Sequence, residues 1–434
     1  MQNTLAPTPK KHAKGARRRE QILDVSLELF RTVGYRATSL RDIAAAAGLT
    51  HQGMRRYFAG TEDILGSLVE RFEHANLEWM DERARQGLPS GPVELARRNA
   101  EIPGYVELYA ALVGEATSTH HPAHDAMREH YRFARRMPLV DFRDQPDPWS
   151  DAVRLVAGWD GLQLMSLYAD DIDLPNRLAR RIAFIYDDDA PALTVVSAAA
   201  STVEGAPSTA SGTSVLPAGG PGTDADAEAE AEAEPRGYAP GRERRERIIA
   251  DATTLFSRHG FHDTSLQDIA SAVGIAKSTL LHHVSSKEEL LIAVLQRRDD
   301  RVSARSPQEL ASAAGGDVDM LVAQAGSSSA DDPGLIAIYS VLSCEAIAPE
   351  HPAHEFFRAR FAHVRAAFTE VFTRLIAEGR VPADRDPREE ADWLVALWDG
   401  LQYQWLYEPE LIDVAALLRD HFDDLERAVA NPPR

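Results

Sequence analysis

Thr38-Ser39-Leu40-Arg41-Asp42-Ile43-Ala44 lies near the start of the chain, and Thr264-Ser265-Leu266-Gln267-Asp268-Ile269-Ala270 lies 226 residues further on. In both stretches a serine is followed three residues later by an acid and then by an apolar run. That is the signature of a capped helix start. Upstream, Arg18-Arg19-Glu20-Gln21-Ile22 pairs with Arg244-Arg245-Glu246-Arg247-Ile248 and Leu29-Phe30 pairs with Leu255-Phe256; these are helices with one apolar face, closed by Gly34 and Gly260. Downstream, Gly48 and Gly274 end the short second helix. A third is predicted over 50–57 and 276–283, and a fourth from Thr61 and from Ser286-Lys287-Glu288-Glu289. Helix, glycine turn, helix is a helix-turn-helix.

The repetition extends further. Glu115-Ala116 and His121-Pro122-Ala123-His124 match Glu345-Ala346 and His351-Pro352-Ala353-His354 at an offset of 230. Trp159-Asp160-Gly161-Leu162-Gln163 matches Trp398-Asp399-Gly400-Leu401-Gln402 at 239. Two tandem copies follow, at 15–187 and 241–425, and the growing offset places extra residues in the second, expected in loops. No strand pattern is visible, so the fold class is all-α. Each copy divides into a helix-turn-helix domain (15–62 and 241–288) and a helical bundle (63–187 and 289–425). Tails occupy 1–14 and 426–434. Residues 188–240 are rich in Ala, Ser, Thr, Gly and Pro, with acids alternating with alanine from Asp224 to Glu234. Without apolar bulk they read as a disordered linker, or alternatively as an acidic mimic of DNA.

The 434 residues carry a formal charge of −20, which taken whole argues against a nucleic-acid partner. The distribution reverses this: residues 10–60 carry +7 and residues 236–287 carry +3. Phosphate binding gives a physical reason for two basic segments in an acidic chain. One cysteine, Cys344, excludes an intrachain disulfide and reads as a small buried apolar residue. No apolar run is long enough to span a membrane, and the basic start lacks the apolar segment of a secretory signal. A cytoplasmic location without membrane contact is the expectation.

These features resemble the tetracycline-repressor (TetR) family of transcriptional regulators. The resemblance rests on the Arg-rich start, Phe30…Gly34-Tyr35…Thr38-Ser39…Ile43-Ala44…Ala47-Gly48-Leu49-Thr50…Tyr57-Phe58, and on Gly274-Ile275-Ala276-Lys277-Ser278-Thr279-Leu280 with Ser286-Lys287-Glu288-Glu289-Leu290. The His-Pro-Ala-His and Trp-Asp-Gly-Leu-Gln blocks look like the regulatory half of one branch. The resemblance implies three short DNA-binding helices ahead of a bundle that binds a small-molecule effector and dimerises through its last two helices. Double-stranded DNA, an apolar effector and intrachain pairing of the copies are therefore the expected partners, with a homodimer as the alternative assembly. No cofactor, metal or catalytic residue is expected. It also implies phosphate contacts by Tyr57 and Lys287, each missing from the other copy.

The reading helix is where the copies part. Between 17–49 and 243–275, 15 of 33 positions are identical; between 50–58 and 276–284, none of nine is. Base edges are read near the start of such a helix. His51, Gln52, Arg55 and Arg56 offer guanine- and adenine-directed donors, and Lys277, Ser278 and Thr279 offer a different set, with Thr50, His282 and His283 as further candidates for the DNA surface. Arg19, Thr38, Ser39, Thr264 and Ser265 complete the candidate DNA surface. Either the operator has two unlike half-sites, or one copy has ceased to read DNA. Trp159, Leu162, Trp398, Leu401 and Trp405 form apolar stripes expected at the interface between copies. The two histidines of His-Pro-Ala-His, three apart, admit a metal reading, but proline at a helix start explains the spacing. The expected function is an effector-responsive repressor acting as a covalent pseudo-dimer. The rivals are an effector-binding or scaffold protein with vestigial helix-turn-helices and a metal-dependent enzyme.

Overall fold

The computed structural model describes residues 9–35, 37–119, 121–139, 146–186, 239–259, 264–303, 318–331 and 333–430. The linker expected over 188–240 falls almost wholly outside them. Each copy opens with a head of three helices: α1 (Pro9–Thr32), α2 (Leu40–Ala46) and α3 (His51–Met54) in the first, α10 (Ala239–His259), α11 (Leu266–Val273) and α12 (Lys277–Leu281) in the second. The copy-1 body comprises α4 (Thr61–Arg85), α5 (Pro92–Glu101), α6 (Tyr105–Glu115), α7 (His124–Leu139), α8 (Pro148–Ser166) and α9 (Leu174–Tyr186). The copy-2 body comprises α13 (Lys287–Ser303), α14 (Val318–Asp331), α15 (Pro333–Glu345), α16 (His354–Ala377), α17 (Pro387–Tyr407) and α18 (Val414–Ala430). The architecture is all-α; among the described residues there is no strand. α1 begins within the stretch read from sequence as a tail.

Part of the length difference between copies is helix, not loop. α16 has 24 residues against 16 in its counterpart α7, so the extension expected between elements lengthens an element. Buried Phe357, Phe361, Phe368 and Phe372 recur every four or seven residues along α16, which lets the added turns continue the same apolar face.

The copies pack against each other mainly through α8 and α17, with α6 against α15 beside them. The Trp-Asp-Gly-Leu-Gln block lies at the centre of this crossing, and its glycine explains the closeness. A Cβ on Gly161 would stand 1.9 Å from the Ala396 carbonyl oxygen, and one on Gly400 would stand 1.9 Å from that of Ala157. The two contacts are the same contact seen from either copy. Gly114 likewise abuts Cys344, which is buried as expected. Two tyrosines repeat the relation: Tyr168 Oη donates to the Ser343 carbonyl (2.6 Å) and Tyr407 Oη to that of Val113 (2.7 Å). The chain therefore has an internal pseudo-twofold axis.

Charged groups flank the crossing. Arg135, 1% exposed, pairs with Glu408 and donates to Gln404. Its repeat counterpart Arg365 pairs with Asp171 of copy 1 at 2.9 Å and with Asp392 at 2.6 Å. Arg154 bridges Asp151 and Asp424, each at 2.5 Å. Buried charges need such partners, because desolvation otherwise exceeds what packing returns.

Candidate nucleic-acid interface and ligand cavity

The heads are built by their caps. Ser39 Oγ accepts from the Asp42 amide (3.2 Å) while the Asp42 carboxylate accepts from the Ser39 amide (3.0 Å); Ser265 and Asp268 repeat this at 3.2 and 2.9 Å. The Ser39 hydroxyl and amide, both donating to the Asp42 carboxylate, hold it below its ordinary range. Gly48 and Gly274, at φ of +64° and +74°, take the left-handed turn that ends the second helix. The next amides, Leu49 and Ile275, reach back to Ala44 and Ala270 and orient the third helix.

The third helices are shorter than the sequence predicts, His51–Met54 and Lys277–Leu281 rather than 50–57 and 276–283. Their last amides turn to three-residue hydrogen bonds, Tyr57 to Met54 and His283 to Leu280, which tighten and end the helix. Met54 and Phe58 in copy 1, and Leu280 and Val284 in copy 2, are buried. The inner face thus stays apolar in both copies although no residue is shared, and divergence of chemical type is confined to the outer face. There Thr50, His51, Gln52, Arg55 and Arg56 are exposed, as are Lys277, Ser278 and His282, with Tyr57, Thr279 and His283 half-buried. Ser39 and Ser265 are exposed caps.

Besides Ser39, Ser265 and Thr50, whose side chains cap helices, four expected DNA residues have structural partners. Thr38 and Thr264 are buried, Thr38 donating to the Gly34 carbonyl. Arg19 turns inward, donating to Ser67 at 2.6 Å with its guanidinium 4.6 Å from the Phe58 ring centre. Lys287 donates to the Thr264 carbonyl at 3.0 Å.

The sequence model for the N-terminal domain of bacterial regulatory proteins of the tetR family matches residues 22–68 and again 248–294. Residues 341–427 match the model for the C-terminal domain of BetI-type transcriptional repressors. The chain belongs to the tetR family, in two tandem copies. Among curated proteins it is similar to the HTH-type transcriptional activator FasR of Mycolicibacterium smegmatis, 38% identical over 71 residues, 16% of this chain and 32% of that protein. It is also similar to the HTH-type transcriptional regulator RutR of Escherichia coli, 43% identical over 54 residues, 12% of this chain and 26% of that protein. The chain thus spans about a third, or less, of the length of these curated relatives. Two solved structures are similar to it. One is a regulator from Saccharomonospora viridis in complex with choline, 24% identical, covering 44% of this chain and 97% of that one at a TM-score of 0.37. The other is a TetR-family regulator from Rhodococcus sp., 22% identical, covering 43% and 99% at 0.36.

In this TetR-family chain the His-Pro-Ala-His histidines act as connectors. His121 Nδ1 accepts from the Ala123 amide at 3.1 Å, and His124 Nδ1 lies 2.8 Å from the Ala116 carbonyl at the end of α6. His351 and His354 repeat both contacts at 3.1 and 2.9 Å. His121 also faces Glu115, which accepts from Tyr35 at the foot of the first head, so this corner joins head to body. Among the described residues no His, Cys, Asp and Glu cluster is arranged to hold a metal.

A cavity of about 840 Å³ opens in the copy-1 body, bounded by α4, α5, α6, α7 and α8. Leu77, Met80, Leu95 and Leu155 supply apolar wall, and Tyr105, Tyr109, Phe133 and Trp159 supply rings. Its polar end is a chain: His130 Nδ1 lies 2.6 Å from Glu73, His130 Nε2 lies 2.9 Å from Tyr109 Oη, and Asp160 accepts from Tyr131 at 2.8 Å and Tyr109 at 3.4 Å. Burial raises the Asp160 carboxyl to about 6, against the opposing pull of Tyr131, His130 and Tyr109. Burial lowers the His130 imidazole, but the charge and hydrogen bond of Glu73 outweigh it and the net shift is upward. Trp159 is thus both beside the crossing helices and in the cavity wall, whereas Leu162 and Leu401 are fully buried on α8 and α17. Trp398 packs on Phe368 within copy 2, and Trp405 is half-buried against the core. Sequence reasoning missed Glu73, Tyr109 and His130, which no spacing connects. Asp160 lies inside the repeated Trp-Asp-Gly-Leu-Gln block, which is the signal in the sequence that points to it.

Proposed function

We propose that the chain is a DNA-binding transcriptional repressor, released by a small molecule entering the copy-1 cavity, and that its two copies act as one covalent pseudo-dimer on an operator of two unlike half-sites. The observation that carries this reading is the complementarity of the pairing surface. Trp393 of copy 2 packs on Gly158 of copy 1, its ring 2.3 Å from where a Cβ would stand; at the related positions stand Arg154 and Leu397. Arg154 takes Asp424 of copy 2 as partner, and the copy-1 counterpart of Asp424 is Ile185. Two identical copies would lose these contacts, because copy 1 paired with itself would set Ile185 in the place of Asp424 and leave the buried Arg154 with Asp151 alone. Copy 1 therefore fits copy 2 better than it fits itself, and one chain presents two heads with different outer faces. The match to a repressor-type C-terminal domain supports repression.

The test combines solution mass with site selection. A particle of 47.7 kDa that selects two unlike half-sites, centred about 34–36 Å apart, is the expected result. A particle of twice that mass selecting a perfect palindrome would overturn the pseudo-dimer and assign one head of each of two chains to DNA. Derepression of a reporter by deletion of the chain checks the sign of regulation.

A further inference from the structure

The two copies differ most tellingly at the position of His130. The repeat relation that pairs Tyr109 with Tyr339 pairs His130 with Arg360, and the Trp block pairs Asp160 with Asp399. In copy 2 the Arg360 guanidinium lies 4.6 Å from the Tyr339 ring centre and donates to its hydroxyl at 2.7 Å. A permanent cation thus occupies the tyrosine face there. In copy 1 the same tyrosine borders an open cavity. Its titratable walls are Glu73, Glu129 and Asp160 against His130 and Arg136. His130 is engaged by Glu73, and among the described residues no cation forms an ion pair with Asp160, which is 8% exposed and held by neutral donors, the Tyr131 and Tyr109 hydroxyls and the Gln163 amide. A buried carboxylate without a direct ion pair, whose nearby His130 is already held by Glu73, beside stacked Tyr105 and Tyr109 and the Trp159 ring, favours a positive charge through both its field and the ring faces.

We propose that the copy-1 cavity binds an organic cation, a protonated or quaternary amine on an apolar body, at one per chain, and that copy 2 carries its own cation as Arg360. This rests on reading the cavity as the regulator's ligand site, and it alters the expectation of a purely apolar effector. The cavity volume is several times that of an ammonium head, so the apolar wall takes the rest of the molecule.

The test uses the full chain and three probes of one shape: 4-phenylbutyl-trimethylammonium, its neutral carbon isostere with a tert-butyl head, and 4-phenylbutylsulfonate. Calorimetry should show the cation binding at one per chain, at least about tenfold more tightly than either matched probe, with a change in tryptophan emission. Asp160→Asn should erase the preference for charge. His130→Arg, which copies the arrangement of copy 2, should abolish binding while keeping the thermal melt. If Asp160→Asn fails to fold, the probe ranking on the native chain and His130→Arg decide. Equal affinity for the three probes, preference for the sulfonate, no uptake of the cation, or two cations per chain would overturn the proposal. DNA affinity measured on the same preparation separates the two readings. A cation that binds without changing DNA affinity removes the effector role and keeps the site. DNA binding without cation uptake removes the site and keeps the regulator.

Discussion

Arg19 and Arg56 are both arginines in a basic head, yet their surroundings assign them different work. Arg19 packs on Phe58 and Ser67 and ties α1 to α4. Arg19→Ala should destabilise the protein by about 1–2 kcal/mol, the sum of a cation–π contact and a hydrogen bond. Arg56 is exposed. Arg56→Ala should leave the melt unchanged, weaken DNA binding and reduce its salt slope. Equal melting losses for the two would refute the division. Asp160 makes a pH prediction. Its carboxyl is raised from 3.8 to about 6, so the folded state holds the proton more tightly than the unfolded chain. The stability this adds is complete below pH 4 and is lost as pH rises through about 6, roughly 3 kcal/mol in all. His130, also raised, contributes with the same sign. The stability of Asp160→Asn relative to the native protein should therefore rise by about 3 kcal/mol between pH 4 and pH 8, measured by denaturant melts. A difference that stays flat with pH would mean the carboxyl is not buried as described.

At the scale of the element, α3 and α12 present unlike outer faces on equivalent apolar inner ones. Exchanging residues 51–56 for the sequence at 277–282 should keep the fold, since Leu280 fits where Met54 packs. It should shift the selected operator toward a palindrome, read by site selection. An unchanged operator would mean that the first head does not read bases. The α8–α17 crossing is the other decisive element. Gly161→Ala would force a Cβ to within 1.9 Å of the Ala396 carbonyl, which belongs to backbone and cannot rotate away. The helices must separate, at a cost of about 1–3 kcal/mol. Gly15→Ala, which meets nothing within 4 Å, is the control and should be neutral or stabilising. Equal melts for the two would refute the close crossing.

Over the whole molecule, the pairing of copies depends on a few buried charges that cross between them. Glu408 of copy 2 receives both Arg132 and the buried Arg135 of copy 1. Its carboxyl lies below the ordinary value: burial pushes it up, but the two arginines prevail. Glu408→Ala should cost about 3–5 kcal/mol, because it leaves the buried Arg135 without a counter-charge, only the neutral Gln404 remaining as acceptor. In a DNA footprint the two half-sites should then lose their fixed spacing while each head still binds. Retention of the spacing would mean that the crossing helices alone set it. The heads should also differ in salt response. Copy 1, with +7 against +3, should be the steeper, as read from half-site titrations.

Local pattern was enough for the repeat, the all-helical class and the heads. Ser39-x-x-Asp42, Gly48 and the 3.6-residue apolar period act within a few residues of themselves, and caps, turns and amphipathic faces are local physics. Their divergence at 50–58 and 276–284 was equally visible, although burial of Met54, Phe58, Leu280 and Val284 shows that it spares the inner face. α3 and α12 end earlier than periodicity predicts, since three-residue hydrogen bonding at a helix end leaves little trace in periodicity. Only the tertiary structure decided what the repeated blocks do. The glycine of Trp-Asp-Gly-Leu-Gln sits where two helices touch backbone to backbone, and its aspartate closes a cavity with residues from α4, α6 and α7. Such sites join residues as far apart in the chain as Glu73 and Asp160 or Arg154 and Asp424. No pattern within a single stretch records those distances, because they are set by how the helices pack.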